Sequence, residues 1–228
     1  TPDILLLQEV YNGTNPAFAQ RFRSHDLFCQ LYPDFAHFFS PIIGDLRTEE
    51  GLVDNGNLTL SRWPIVEAET RFVDIPYQQY DHDATEDYSS WPGAVQRCII
   101  EYQPGKQLQV GNLHGPVWMD GLEPTSRRRQ MVTMLNSLLQ VDMPTVIAGD
   151  TNASISNPCW EQLVPHQQAF GAEVTTTFNM KRKDNPGYAT AAVDQCFTNQ
   201  MVKILFAKQF SVDVSDHLPF LVEISIPD

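Results

Sequence analysis

Several apolar runs in this chain stop at a residue suited to acid–base or metal chemistry. "ILLLQE" ends at Glu9, "VGNLH" at His114, "TVIAGDTN" at Asp150 and Asn152, and "AAVD" at Asp194. A further stretch, "VSDHLPF", sets Asp216 and His217 just before the last apolar run. Strand ends are rigid, so side chains there can be held to the tolerance that catalysis demands. Carboxylates, amides and imidazoles, without a Ser or Cys nucleophile motif, point to metal-assisted attack by water. Hard oxygen donors with no Cys/His cluster favour Mg²⁺ or Mn²⁺ over Zn²⁺. Each feature alone has an ordinary explanation: a strand leaving the core, a Gly-Asp-Asn turn, a hydrogen-bonded core histidine. Their order and their common position at strand ends are what those explanations do not produce.

The elements that must position these residues follow from periodicity and punctuation. "ILLL" reads as a buried strand with neighbours on both sides, and "NPAFAQRF" as a helix start with Asn15 as cap and Pro16 in the first turn. "GNLTLSRWPI" (56–65) predicts a short strand ended by Pro64, and "QRCIIEY" and "KQLQVGNLH" a hairpin turning at Pro104-Gly105. In the second arm Leu108, Val110, Asn112 and His114 share one face, which starts apolar and ends in an amide and an imidazole. "PTSRRRQMVTMLNSLLQ" (124–140) carries Met131, Met134, Leu135, Leu138 and Leu139 at helical spacing. "PTVIAGD", "VDQCF" (193–197), "VKILFAKQF" (202–210) and "LVEISI" (221–226) are further strands. Many strands with few helices argue for an α/β fold of two packed sheets.

At 228 residues and 42% hydrophobic the chain can bury a sizeable core without disulfides. No repeat or linker-like stretch divides it, so residues 1–228 read as one domain. No run approaches the ~18 apolar residues of a membrane span. Cys29, Cys98, Cys159 and Cys196 are scattered and read as ordinary thiols. With 15 Lys and Arg against 28 Asp and Glu, the net charge of −13 argues against avid, non-specific nucleic-acid binding. Residues 74–93 hold five carboxylates and no Lys or Arg. Tyr77, Tyr80, Tyr88 and Trp91 there, with Trp118, either stack on a substrate ring or pack an irregular loop onto the body, the latter being favoured. Asp81-His82-Asp83 reads as a solvated loop rather than a second metal site. Arg127, Arg128 and Arg129 either reach a phosphate or form a solvated helix face.

The set "LQEV", "GNLTLSRWPI", "NLH" followed by "RRRQ", "AGDTN", "TTFN", "VDQCF" and "SDHLPF" resembles the endonuclease/exonuclease/phosphatase (DNase I-like) superfamily, in that family's order and over nearly the whole chain. The resemblance implies a four-layer α/β/β/α sandwich with the site at one edge of the two sheets. It implies Glu9 as a Mg²⁺ ligand and Asp216 as an aspartate close to the metal. Asp150 matches the residue that orients or deprotonates the attacking water, and Asn152 the amide that holds it and the phosphate. His217 matches a histidine on the scissile phosphate, Asp194 its carboxylate partner, and His114 a second phosphate-contacting histidine. Asn57, Asn112 and Arg127 are expected as substrate contacts. Extended backbone would point Asp150 and Asn152 to one side, toward one water.

The implied activity is that of a Mg²⁺-dependent phosphohydrolase (Mn²⁺ as substitute), first of all a phosphodiesterase. Its substrate would be a phosphate ester on a small molecule, a lipid headgroup or a nucleic acid. A nuclease, a tyrosyl-DNA phosphodiesterase-like repair enzyme, or an inactive binding module keeping the fold are the alternatives. The family's pattern opens with a strand bearing an asparagine and then a helix, for which ~25 residues would be needed before "PDILLLQEV". The expectation is therefore an N-terminally incomplete domain. Oligomeric state is not legible.

Overall fold

The structure is a computed structural model and describes residues 1–79, 91–117 and 125–227. Its strands are β1 (Ile4–Asn12), β2 (Ala36–Thr48), β3 (Gly51–Ser61), β4 (Ile65–Phe72), β5 (Gln78–Gln79) and β6 (Ala94–Gln103). They continue with β7 (Lys106–His114), β8 (Thr145–Asp150), β9 (Gln167–Gln168), β10 (Asp194–Thr198), β11 (Lys203–Gln209) and β12 (Phe220–Ser225). The α-helices are α1 (Ser24–Leu31) and α2 (Ser126–Leu139). One sheet runs β1-β3-β2-β5, a second β4-β6-β7-β8-β10-β9, and β11 pairs with β12.

Side-chain alternation sorts these elements into four layers. On the outer face of the first sheet, Leu5, Leu7, Val10, Leu58 and Phe39 meet Phe28 and Tyr32 of the α1 segment. Between the sheets, Ile4, Leu6 and Phe38 pack on Cys98, Ile100, Leu108 and Val110. On the outer face of the second sheet, Val95, Leu113 and Ile147 receive Met131, Val132, Leu135, Leu138 and Leu139 of α2. The order α1, sheet, sheet, α2 is the α/β/β/α sandwich that the resemblance implied. Helix α2 is also the crossover that a parallel β7–β8 pair requires. Its start is set by Thr125, whose hydroxyl accepts from the Arg128 amide.

The sheets also meet through a buried polar seam. Gln96 Nε2 donates to Phe38 O (2.7 Å), Ser40 Oγ (2.9 Å) and Asn57 O (3.1 Å). Asn112 Nδ2 donates to Leu7 O and Leu58 O, both at 3.1 Å, and Gln8 Nε2 donates to Asn112 Oδ1 at 2.6 Å. Asn57 Nδ2 closes the set on Asn112 O (2.9 Å). Such groups are costly to bury unless paired, so the network admits one register between the sheets. That register ties Gln8, next to Glu9, to Asn112, two residues before His114.

Some expectations change. Strand β1 is an edge strand among the described residues, paired only with β3, and its apolar run is half-buried rather than buried. Asn15 caps a tight turn, its Oδ1 accepting from the Ala17 amide at 2.9 Å, and the α-helix starts only at Ser24. Strands β2 and β4 carry no clean sequence signal. In β2, Pro41, Gly44 and Asp45 read as breakers but sit at two register shifts of one long bulged strand. Trp91 packs against the Phe22–Ile42–Ala94 cluster, while Tyr80, Asp81-His82-Asp83, Tyr88 and Trp118 lie outside the described residues.

Candidate active site

Three of the nominated residues form one row. His114 is directly opposite Asp150 across the parallel β7–β8 pair, and Asp194 is opposite Asp150 across the antiparallel β8–β10 pair. Directly opposed residues project to the same face, so an imidazole and two carboxylates stand side by side at the sheet's end. All three are buried.

His217 joins the row from the loop before β12. Its Nδ1 lies 2.8 Å from Asp194 Oδ2 and its Nε2 lies 4.0 Å from Asp150 Oδ2. The loop is pinned by "TTFN". Phe178 bridges His217, the Asn179 amide donates to Asp216 O (2.8 Å), and Asn179 Nδ2 donates to Ser215 O (2.9 Å). The Thr177 hydroxyl accepts from the Val193 and Asp194 amides, joining this loop to the start of β10.

Glu9 reaches the site by a backbone irregularity. Leu5 and Leu7 face α1, and unbroken alternation would send Glu9 the same way. The β1–β3 register instead shifts between Leu7 and Val10, and Glu9 has φ 55°. A bulge of this kind re-aims a side chain. The Glu9 carboxylate ends 3.9 Å from His114 Nε2 and is largely solvent-exposed. Asn152, with φ 50°, is the second non-glycine residue of the site in left-handed backbone. Such conformations cost energy and cluster where geometry serves function.

The "GDTN" turn is built differently from the expected extended pair. The Asn152 amide donates to Asp150 Oδ1 (2.7 Å), closing an Asx turn, and Asn152 Nδ2 donates to Gly115 O (3.0 Å). Gly149 has φ 140°, and a Cβ there would lie 2.1 Å from Leu113 O. Only glycine lets β8 pass that close to β7. Arg128 Nη2 donates to Asn152 O (3.2 Å), so one of the three arginines supports the turn from beneath.

The electrostatics separate the acid and base roles. Burial and the neighbouring Asp194 charge push the Asp150 carboxyl up to about 6, against the pull of His217 and His114. Burial alone would lower His217, but its hydrogen bond to Asp194 and the charges of Asp194, Asp150 and Asp216 raise it to about 9. Near neutral pH the site therefore pairs an ionised, proton-accepting Asp150 with a cationic His217. Burial alone would raise Asp216, but the bond to Lys183 Nζ (2.6 Å) and that charge hold it below the usual carboxylate range. Lys183 stands over the rings of Phe178 and Tyr188. Nothing in the sequence reading singled it out, because a lysine in an irregular "KRKD" stretch carries no periodic signal.

The structure thus brings together Glu9, His114, Asp150, Asn152, Asp194, Asp216 and His217. It does not bring Asn57, Asn112 or Arg127 to the site's surface. Asn57 and Asn112 are fully buried in the inter-sheet seam. Arg127 clamps Asp74 through Nε (2.5 Å) and Nη2 (3.0 Å), and Nη2 also donates to Trp91 O (2.6 Å). Asn57 and Asn112 tie the sheets together beneath the site, and Arg127 ties α2 to the Asp74 and Trp91 segments: apolar-strand context and helix position could not distinguish a side chain aimed at a phosphate from one aimed at a neighbouring element.

The Glu9 and Asp216 carboxylates are hard oxygen donors of the type that holds Mg²⁺ or Mn²⁺. The Tyr11 hydroxyl pKa is raised by burial first, then by Glu9 and, against the pull of Arg21, by Asp216. The donor chemistry fits a hard divalent cation, with Lys183 as the group that already neutralises Asp216.

A model of the Endonuclease/Exonuclease/phosphatase family matches residues 1–217. Among solved structures, the chain is similar to an endonuclease/exonuclease/phosphatase from Beutenbergia cavernae at 17% identity and TM-score 0.68, covering 99% of this chain and 63% of that one. This chain therefore spans less than two thirds of that protein. It is similar to a mannosyl-6-phosphatase from Bacteroides thetaiotaomicron at 15% identity and TM-score 0.66, covering 98% and 85% of the two chains. It is also similar to D. rerio TDP2 complexed with single strand DNA product, at 13% identity and TM-score 0.66, covering 98% and 86%. No curated protein matches the chain.

Proposed function

The chain belongs to the endonuclease/exonuclease/phosphatase family, whose members hydrolyse phosphate esters, and from that premise we propose a Mg²⁺-dependent phosphohydrolase acting on a phosphodiester. The observation that carries this reading is the row His114–Asp150–Asp194 with His217 bonded to Asp194. It sets a proton acceptor between two imidazoles, as hydrolysis of an anionic ester by water requires.

In this reading Asp150 takes a proton from a water as its oxygen attacks phosphorus and the bond to the leaving oxygen breaks. The Asx turn to Asn152 holds the second Asp150 oxygen in place. His217, kept cationic by Asp194, faces the phosphoryl oxygens where negative charge grows, and His114 faces them from the opposite side of Asp150. Asp194 fixes the His217 ring with Nδ1 inward, leaving Nε2 toward the substrate. Glu9 and Asp216 would hold the divalent cation. Bound there, it would supply further neutralisation of charge on the phosphoryl and leaving oxygens.

The charge balance supports a small substrate. With a net charge of −13 and Arg127 bonded to Asp74, the cations beside the row among the described residues are His217, Lys183 and Arg128, the last donating to Asn152 O. A groove for several phosphates needs more than these. The comparison with a mannosyl-6-phosphatase agrees with a small ester, and that with TDP2 keeps single-stranded DNA as the competitor to assay.

The test is hydrolysis of bis-p-nitrophenyl phosphate by the protein with Mg²⁺ and with chelator, beside an Asp150→Ala variant. Turnover that needs the metal and is lost in the variant is expected. Wild-type protein without metal-dependent turnover, or a variant of equal rate, would sink the proposal.

A further inference from the structure

A second cluster of ligand-type side chains lies on the outer face of the first sheet, apart from the hydrolytic row. His25 and Cys29 stand one turn apart on α1, and His37 comes from the start of β2. Their ligand atoms lie within 4.8 Å of one another. His25 Nε2 is 3.7 Å from Cys29 Sγ, and the His25 and His37 rings meet edge to face with centroids 5.8 Å apart. On its other side, His25 Nδ1 lies 3.4 Å from Asp26 Oδ1. A carboxylate at Nδ1 keeps the proton there and leaves the Nε2 lone pair turned toward the sulfur.

We propose that His25, Cys29 and His37 form a binding site for a borderline-soft divalent transition metal, Zn²⁺ in the first place, separate from the hydrolytic centre. Two imidazoles and a thiolate are the donor set for such an ion and a poor one for Mg²⁺ or Ca²⁺. Tetrahedral Zn²⁺ with Zn–N near 2.1 Å and Zn–S near 2.3 Å separates its donors by about 3.3 to 3.6 Å. The His25–Cys29 pair is already close to that, at 3.7 Å. The remaining adjustment falls on His37, whose exposed side chain at the mouth is free to rotate by the needed ångström or so. Three protein ligands leave a fourth position for water or an external ligand.

The cluster is separate by construction. His37 is on the α1 side of β2 and pairs with Leu60, which pairs with Leu5 of β1. Leu5 is four residues before Glu9, roughly 13 Å along a strand. The Cys29 sulfur faces His25 Nε2 at 3.7 Å. Binding forms the metal–sulfur bond as the thiol proton leaves to solvent. It also clips α1 to β2.

The experiment uses the full chain stripped of metal, with excess Mg²⁺ present to occupy hard-donor sites, titrated with Co²⁺ as the spectroscopic probe. We expect one equivalent to bind with a thiolate-to-cobalt charge-transfer band, Zn²⁺ to displace it, and about one proton to leave per metal. Cys29→Ser abolishes the band, and His37→Ala and Asp26→Asn each weaken affinity by about 10-fold to 100-fold. Circular dichroism confirms the fold of each variant, and His37→Ala keeps the basal hydrolysis rate. Absence of the charge-transfer band in wild-type protein, or a band undiminished in folded Cys29→Ser, would overturn the site.

Discussion

Asp194 controls the charge on His217, and removing its negative charge tests the electrostatic core of the site. In metal-free protein, Asp194→Asn should lower the His217 pKa from about 9 back toward the ordinary 6.5, because the largest raising influence is removed while those of Asp150 and Asp216 remain. The rise from 6.5 to about 9 corresponds to about 3 kcal/mol at ~1.4 kcal/mol per pH unit, shared among Asp194, Asp150 and Asp216. Asp194, the only one of these hydrogen-bonded to the ring, carries the largest share. The sign follows from linkage. A histidine whose folded pKa is raised contributes stability that is fully present below 6.5 and is lost as pH rises through 9. Wild-type stability should therefore fall between those values more steeply than that of Asp194→Asn. The substitution also relieves Asp150 of a repelling neighbour. Asp150 itself titrates near 6, so the slopes are compared above about pH 7, where it is ionised in both proteins. Urea denaturation from pH 6 to 10 with chelator, and an NMR titration of the His217 ring, supply the two readouts. A His217 pKa unchanged in the variant, or parallel stability curves, would refute the account.

Asp150→Asn should lower kcat on bis-p-nitrophenyl phosphate by about 10²- to 10⁴-fold, with the fold retained by circular dichroism. The wild-type rate should rise with pH as Asp150 ionises near 6 and decline as His217 loses its proton near 9, giving a bell in the pH–rate profile. Gly149→Ala, which puts a methyl against Leu113 O at left-handed φ, should destabilise by about 1 to 3 kcal/mol in chemical denaturation. Asp74→Ala, which removes the carboxylate that Arg127 Nε and Nη2 bond while leaving Trp91 O, should cost about 1 to 3 kcal/mol of stability while kcat per folded molecule holds; a selective loss of kcat instead would return Arg127 to the substrate.

Strand ends decided most of what the sequence could say by itself. Glu9, His114, Asp150 and Asp194 were legible because a short apolar run followed by an ionisable residue has few purely structural readings when it recurs in one chain. The β6–β7 hairpin and α2 were legible for the same local reason: turn residues and a 3.6-residue period are written within a few neighbouring positions. Whatever depends on residues far apart in the chain was settled only by tertiary packing. Asn112 and Arg127 carry the right chemistry for a phosphate, yet the partner sheet claims one amide and Asp74 claims the guanidinium. Glu9 turns toward His114 through a bulge that no alternation rule contains. Strand β2 survives a proline and a glycine because neighbours on both sides hold it through its register shifts. His25, Cys29 and His37 meet because α1 lies down on β2, so their spacing matches no linear metal motif. The chain's local chemistry is set by covalent neighbours, whereas the aim of each side chain is set by whatever the fold brings opposite it.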